Sequence, residues 1–191
     1  MAGEELSAIV CRPRRRRMVT ANGIVILAVD PGRHTGWSLY RGETLLRFGQ
    51  FYLADGADVD AKVAEIINGT AGYAKDGPVR PALAVVEEHS AQYHVTHRGR
   101  IGENRLKTTM AVNVRCRRRL EAALLRAGVP SLGVTPEEWN AGRYAMVDVL
   151  AELQRARIPE PDGFRIKARE HQRDAIVLGG RMARRRVWET R

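Results

Sequence analysis

The feature that most constrains the fold is an apolar run from Ile24 to Val29 that ends in Asp30-Pro31-Gly32. A continuous, β-branched apolar run is typical of a central strand that is buried on both faces of a sheet. Pro31 cannot donate to a strand ladder and Gly32 accepts a positive φ, so the turn leaves Asp30 as the last residue of the strand. The carboxylate of Asp30 is therefore predicted to face a cleft.

The rest of the chain alternates between strand-like and helix-like segments. Period-two and β-branched segments predict strands over residues 24–30, 35–40, 45–53, 81–86 and 129–134. Helical spacing and capping signals predict helices over residues 57–75, 104–127, from Thr135 onward, 146–157 and 165–187. We predict an α/β fold with a mixed five-stranded sheet flanked by helices. The sheet would combine an antiparallel three-strand meander with two parallel strands.

The length and the N-terminal composition suggest one folded domain behind a basic arm. A chain of 191 residues fits a single domain of ordinary size. Residues 1–21 contain an arginine-rich stretch without hydrophobic periodicity, which favours a disordered basic arm and leaves residues 22–191 as the single domain. Translation starting at Met18 is the alternative, in which case the arm has no role.

Charge and apolar content narrow the classes of function. The net charge is +10 and the pI is about 10.4, with arginine as the main cation, which favours a phosphate-rich nucleic-acid partner over a merely basic surface. No apolar run is long enough for a membrane span and no secretory signal is recognisable, so we expect a cytoplasmic protein with no membrane partner. Cys11 and Cys116 make a poor disulfide pair, and Cys116 is predicted to fill the core.

Acidic residues recur at positions that a sheet could bring together. The apolar strand 81–86 ends in Glu87 and Glu88, while His171 and Asp174 are three residues apart on one helix face. Carboxylates from separate elements repel one another unless a cation joins them. Oxygen ligands suit Mg²⁺ or Mn²⁺, and two such ions about 3.5 to 4 Å apart can activate a water and stabilise the leaving 3′ oxygen of a phosphodiester. His171 could bind a metal or act as an acid or base.

Three segments resemble, in order, the motifs of RuvC-type Holliday-junction resolvases, an RNase H-like nuclease family. ILAVDPGRHTGWSLY is similar to the first motif, LAVVEEHSAQ to the second and HQRDAIVLGG to the third. The resemblance implies an RNase H-like fold for residues 22–191. It also implies a Mg²⁺-dependent endonuclease that nicks opposing strands of a four-way DNA junction as a homodimer.

The resemblance also implies roles for individual residues. It gives catalytic and metal-binding roles to Asp30, Glu87 rather than Glu88, His171 and Asp174, with Mn²⁺ able to replace the two Mg²⁺ ions. The predicted contacts to branched DNA are Tyr93, Arg98, Arg100, Arg105, Lys107 and Arg143. Tyr93 would stack on an unpaired base. Arg143 would contact a phosphate where family members carry lysines that this chain lacks.

Several interpretations stay open at this level. Arg115, Arg118 and Arg119 form either a solvated helix face or a phosphate track. One alternative function is an actin-like or sugar-kinase-like nucleotide-binding lobe, although a second glycine-rich phosphate loop is not found. Another is a DNA-binding protein that keeps the fold without catalysis. A bacterial or phage setting is expected, and repair, recombination and phage genome processing are all compatible with it.

Overall fold

The computed structural model describes residues 23–74, 77–88, 103–139, 144–165 and 169–185, with backbone alone for residues 74 and 103–107. The strands are β1 Val25–Asp30, β2 His34–Arg41, β3 Thr44–Tyr52, β4 Tyr73–Ala74, β5 Leu83–Glu87 and β6 Ser131–Val134. The helices are α1 Val59–Asn68, α2 Glu103–Arg126, α3 Met146–Arg155 and α4 Glu170–Arg184. The basic arm predicted for residues 1–21 lies outside the described residues.

The strands form one mixed sheet in the order β4-β3-β2-β1-β5-β6. β1 pairs with β2 and β2 with β3 in antiparallel register, whereas β1, β5 and β6 run parallel. The predicted five-stranded arrangement of a meander plus two parallel strands is therefore confirmed. The two-residue strand β4, which pairs with Arg47 and Phe48 of β3, adds to it at one edge.

The helix predicted over residues 57–75 is shorter than the sequence suggested. α1 ends at Asn68 because Gly69 adopts a left-handed conformation with φ of 79°, and its N–H donates to the carbonyl oxygens of Glu65 and Ile66. The residues that follow turn back and supply β4. The apolar spacing continues beyond Gly69 and therefore did not indicate that the helix ends there.

Each face of the sheet carries its own helices. Along β1, Val25, Leu27 and Val29 pack in the cluster that includes residues of α1 and α2, whereas Ile26 and Ala28 pack in the cluster of α3 and α4. Every residue of β1 is at most 7% exposed. The strand is therefore buried on both faces, as predicted, and its alternation assigns each side chain to one helical layer.

Helix α4 lies along β2. Ser38 Oγ donates to the carbonyl oxygen of Ala175 at 2.6 Å, and the Tyr40 hydroxyl donates to that of Ile176 at 2.9 Å. The backbone of His171 lies against Gly36. Positions 171, 175 and 176 of α4 thus follow β2 from its beginning towards its end. Because β2 is antiparallel to β1, the N-terminal end of α4 lies at the carboxyl end of β1.

The ends of other predicted helices differ in detail. The final helix begins at Glu170, not at residue 165, and its residues Ile176, Val177 and Met182 are buried. The capping signal at Thr135 corresponds to a capping box: the Thr135 N–H donates to Glu138 Oε2 at 2.6 Å, and the Glu138 N–H donates to Thr135 Oγ1 at 3.4 Å. It opens a turn over residues 136–139, where a helix was predicted, and the described residues break off there.

Cys116 is 4% exposed and fills the core, as predicted. Among the described residues, no helix combines the length and the apolar composition that crossing a bilayer requires.

Candidate metal centre

Asp30 is the last residue of β1 and only 3% exposed. The alternation along β1 places its side chain on the face of α3 and α4, since Ile26 and Ala28 belong to that face. The turn after it is braced by Thr35, whose hydroxyl donates to the carbonyl oxygen of Gly32 at 2.7 Å. The sequence predicted that Asp30 ends a buried strand, and the structure has it in that position.

Glu87 occupies the matching position on the neighbouring strand. The parallel pairing of β1 and β5 runs through Val29 and Val86, so Asp30 and Glu87 are the next residues of each strand. Leu83 and Val85 pack on the α3 and α4 face, and alternation puts Glu87 on that face as well. Neighbouring strands are about 4.8 Å apart, so the two carboxylates leave the same edge of the sheet side by side.

Glu88 belongs to the other face of the sheet. Its Oε1 accepts a hydrogen bond from the Arg117 guanidinium of α2 at 2.6 Å. Arg117 also donates to Glu121 at 2.9 Å. Of the two adjacent acids, Glu87 shares a face with Asp30 and Glu88 takes part in an ion pair away from it.

His171 meets Asp30 from the first turn of α4. Its Nδ1 lies 2.6 Å from Asp30 Oδ2. This approach depends on Gly36, the cross-strand partner of Asp30. A Cβ atom at Gly36 would lie 1.9 Å from the carbonyl oxygen of His171 and 2.6 Å from the backbone nitrogen of Gln172, so only glycine leaves room for the helix.

Asp174 completes a three-residue group. One ligand atom from each of Asp30, His171 and Asp174 lies within 4.8 Å of the other two. Glu87 is not a member of this group, although it lies on the same face at the end of the adjacent strand. The structure thus brings together three of the four predicted site residues and positions the fourth beside them.

Tyr144 is a member of the site that the sequence did not reveal. Its hydroxyl donates to Asp174 Oδ1 and its ring packs against Trp139 with centroids 6.2 Å apart. Burial, followed by the charge of Asp174, raises the pKa of Tyr144 well above its usual range. The phenol therefore keeps its proton and acts as a donor that orients the carboxylate. No spacing rule marks Tyr144, because it precedes α3 and reaches the site only through packing.

Asn113 of α2 is a second neighbour that the sequence did not indicate. A Cβ atom on Gly32 would lie 3.6 Å from His171 Cε1 and 3.7 Å from Asn113 Oδ1, so these two side chains flank the turn after Asp30. The Asn113 side chain is half-buried, and no motif or spacing in the sequence of α2 distinguishes it.

The donor set fits a hard divalent cation. Asp30, Glu87 and Asp174 are each at most 7% exposed, and buried carboxylates that converge need positive charge to compensate them. Carboxylate oxygens are the ligands that Mg²⁺ and Mn²⁺ prefer, and Asp30, Glu87 and Asp174 supply them. The N-terminal end of α4 carries a partial positive charge, which stabilises the nearby carboxylates and not the cation.

The predicted DNA contacts lie mostly beyond the described residues. Tyr93, Arg98, Arg100 and Arg143 fall outside them, as do the side chains of Arg105 and Lys107.

The arginines of α2 have different environments. Arg119 donates to the carbonyl oxygens of Ala54 and Ala57 at 3.0 and 2.7 Å, so it fastens the loop before α1. Arg115 and Arg118 are exposed. Of the three arginines, only these two are therefore available to form a phosphate track.

No protein-family model matches the chain, and no curated protein matches it in sequence. Among solved structures, RuvC of Thermus thermophilus in complex with a Holliday junction substrate is 18% identical, covering 87% of this chain and 97% of that chain, with a TM-score of 0.55. A second Thermus thermophilus RuvC structure is 18% identical with a TM-score of 0.51, covering 87% of this chain and 98% of that chain.

The chain has the RuvC fold. The RNase H-like architecture that the sequence motifs implied is therefore confirmed at the level of the fold. A yeast mitochondrial Holliday junction resolvase is also similar, at 11% identity, with 86% of this chain and 80% of that chain covered and a TM-score of 0.48. In the RuvC fold of this chain, the acids at the ends of β1 and β5 and the pair on α4 share one edge of the sheet.

Proposed function

We propose that the chain is a divalent-metal-dependent endonuclease that hydrolyses phosphodiester bonds in branched DNA, with four-way junctions as the main substrate. The observation that carries the proposal is the group formed by Asp30, His171 and Asp174, whose ligand atoms lie within 4.8 Å of one another. Glu87 extends the group on the same face. A net charge of +10 supports a phosphate-rich substrate.

The choice of branched DNA rests on the fold. The RuvC structure that shares this fold was solved with a Holliday junction substrate. A second copy of the chain would present a second, symmetry-related metal centre, and two such centres can cut opposing strands of a four-fold branch. We therefore propose a homodimer as the working form, in a bacterial or phage setting.

Each site residue has a role that follows from its position. Asp30 lies between His171 on α4 and Glu87 on β5, so it is the carboxylate best placed to be shared by two ions. Glu87 would hold the ion on the β5 side and Asp174, oriented by Tyr144, the ion on the α4 side. When bound, two Mg²⁺ or Mn²⁺ ions supply Lewis acidity for the attacking water and for the leaving 3′ oxygen.

His171 is suited to either of two roles in this site. Its Nδ1 contact with Asp30 fixes the imidazole at the centre, where the ring can bind a metal or transfer a proton near neutral pH. A carboxylate at position 171 keeps the first role, but it is ionised near neutral pH and cannot donate a proton there. Substitution by aspartate therefore separates them.

Cleavage of a synthetic four-way junction tests the proposal. The wild type, Asp30→Asn and Glu88→Gln are incubated with labelled junction, linear duplex and Mg²⁺, with EDTA in a parallel series. We expect metal-dependent nicks in the junction with wild type and Glu88→Gln, and none with Asp30→Asn. Absence of nicking on every branched substrate contradicts the proposal. Tight, salt-sensitive binding without cleavage would indicate a binding protein, and ATP binding in calorimetry a nucleotide-binding lobe.

A further inference from the structure

A second cleft lies at the same edge of the sheet, on the side of α2. We call it the Tyr52 cleft; it encloses about 140 Å³, and its lining includes Arg33, Tyr52, Asp55, Arg115, Cys116 and Arg119. Arg33 is three residues after Asp30, so the chain limits the distance between their Cα atoms to about 10 Å. The cleft is thus next to the candidate metal centre without being part of it.

The cleft carries an excess of positive charge. Three of its lining residues are arginines and one, Asp55, is an acid. Arg33 and Arg119 line the cleft together with Cys116. Burial raises the pKa of the Cys116 thiol, while the positive charges of Arg119 and then Arg33 act in the opposite direction. A cleft of this charge attracts an anion.

Two of the three arginines are available to a ligand. Within the described part of the chain, the exposed Arg33 guanidinium has no hydrogen bond or ion pair. Arg115 lies 3.6 Å from Asp55, and both side chains are largely exposed, at 65% and 84%. An exposed pair of this length adds little stability, so a phosphate can replace Asp55 at small cost. Arg119, by contrast, is held by backbone carbonyls and shapes the wall.

Exposed aromatic rings lie at the strand ends that border the cleft. Tyr52, the last residue of β3, is 52% exposed, and its ring centroid lies 5.1 Å from that of the exposed His34 across the strand pair. Neither ring packs in a core cluster of the sheet. Aromatic rings beside arginines are the combination that proteins use to bind single strands, because every unpaired base offers a face for stacking.

We propose that the Tyr52 cleft binds a single-stranded DNA segment next to the scissile phosphate. Tyr52, supported by His34, stacks on an unpaired base, and Arg33 and Arg115 contact the adjoining phosphates. The proposal rests on the proposed nuclease function, which supplies the DNA and the reason for a strand to pass Asp30. Paired bases do not expose their faces, so the cleft selects DNA that opens at a branch point.

Binding of a labelled oligodeoxythymidine of about 12 nucleotides, measured by fluorescence anisotropy in EDTA, tests the cleft without any need for cleavage. The variants are Tyr52→Ala, Tyr52→Phe and Arg33→Gln. The matched control is Arg41→Gln, because Arg41 is an exposed arginine at the other end of β2, about 24 Å from His34. Thermal unfolding of each variant checks that it folds.

We expect Tyr52→Ala to weaken binding about tenfold and Tyr52→Phe to bind within about twofold of wild type, because phenylalanine keeps the stacking face. Arg33→Gln should lower the slope of log K against log salt concentration by about 0.7, the value for one phosphate contact on a single strand. Arg41→Gln should change neither the affinity nor the slope by a comparable amount. Wild-type affinity and slope in both Tyr52→Ala and Arg33→Gln would overturn the cleft, as would equal losses in Tyr52→Phe and Tyr52→Ala.

The two proposals fail in different ways. If the wild type cleaves junctions with Mg²⁺, but Tyr52→Ala and Arg33→Gln bind the oligonucleotide as the wild type does, the cleft is refuted and the nuclease function stands. If Tyr52→Ala and Arg33→Gln weaken oligonucleotide binding, but the wild type cleaves no branched substrate, the nuclease function is refuted. If Tyr52→Ala fails to fold, Tyr52→Phe and Arg33→Gln still decide the matter, because wild-type binding by Arg33→Gln would overturn the phosphate contact.

Discussion

The imidazole Nδ1 of His171 lies 2.6 Å from Asp30 Oδ2, although the two residues are 141 positions apart in the chain. If the imidazole belongs to the metal centre, His171→Ala should lower junction cleavage by about 100-fold or more while junction affinity in EDTA stays near wild type. His171→Asp should retain part of the activity if the residue is a ligand. Single-turnover rates and anisotropy measure the two quantities. Equal cleavage by wild type and both variants would show that the ring has no part in the reaction.

The adjacent acids Glu87 and Glu88 offer a matched comparison. Glu87 shares the face of Asp30, so Glu87→Gln should lower the cleavage rate by about 1,000-fold or more, because loss of a metal ligand removes several kcal/mol of transition-state stabilisation. Glu88 pairs with Arg117 on the other face, so Glu88→Gln should keep the activity and change the free energy of unfolding by at most about 1 kcal/mol. Cleavage assays and urea denaturation distinguish the two. A larger loss of activity in Glu88→Gln would reverse the assignment.

Gly36 controls how closely α4 approaches β2. Its substitution by alanine puts a Cβ atom 1.9 Å from the His171 carbonyl oxygen, and the helix must move. We expect Gly36→Ala to reduce the free energy of unfolding by about 1 to 3 kcal/mol. A displacement of His171 by about 1 Å would in addition reduce cleavage about 100-fold.

Gly23→Ala is the control for Gly36→Ala, because a Cβ atom there meets nothing within 4 Å. This variant should match the wild type in both denaturation and cleavage. Normal stability and activity in Gly36→Ala would mean that the helix does not contact the strand as closely as described.

Tyr144 holds Asp174 through a hydrogen bond from its hydroxyl. Tyr144→Phe should raise the Mg²⁺ concentration needed for half-maximal cleavage by about 10- to 100-fold, as the loss of a partner of a metal ligand does elsewhere. The pKa of Tyr144 is raised, so the protonated donor is present at every pH below 10, and the effect of the substitution should be the same at pH 7 and pH 9.

Tyr73→Phe is the matched control for Tyr144→Phe, since Tyr73 is 39% exposed and its hydroxyl makes no hydrogen bond with the described residues. Its Mg²⁺ dependence should equal that of the wild type. A Mg²⁺ titration of Tyr144→Phe that coincides with the wild type would remove Tyr144 from the site.

The sequence was informative wherever a local pattern has a direct geometric consequence. A buried apolar run that ends in Asp30, and another that ends in Glu87, could be placed together because parallel strands end at one edge of a sheet. The spacing of His171 and Asp174 put them on one helix face. Strand direction and helical spacing thus predict, from local sequence alone, which of these side chains lie close together.

The features that the sequence did not reveal depend on packing between distant segments. Gly36 matters because of the backbone of His171, and Tyr144 because of the carboxylate of Asp174, and neither relationship leaves a periodic signal. β4 escaped prediction because Gly69, which ends α1, stands inside a stretch whose apolar spacing continues. Roles for Tyr93 and the other DNA contacts outside the described residues stay predictions.

The occupancy of the metal centre is the most direct test of the account. A crystal of the wild-type protein soaked in Mn²⁺ would be measured for anomalous scattering at the carboxyl edge of β1 and β5. We predict two peaks about 3.5 to 4 Å apart, both within ligand distance of Asp30, with Glu87 bound to one and Asp174 to the other. A map with no Mn²⁺ peak at Asp30, from a crystal in which the carboxylates are ordered, would contradict the proposed metal-dependent nuclease.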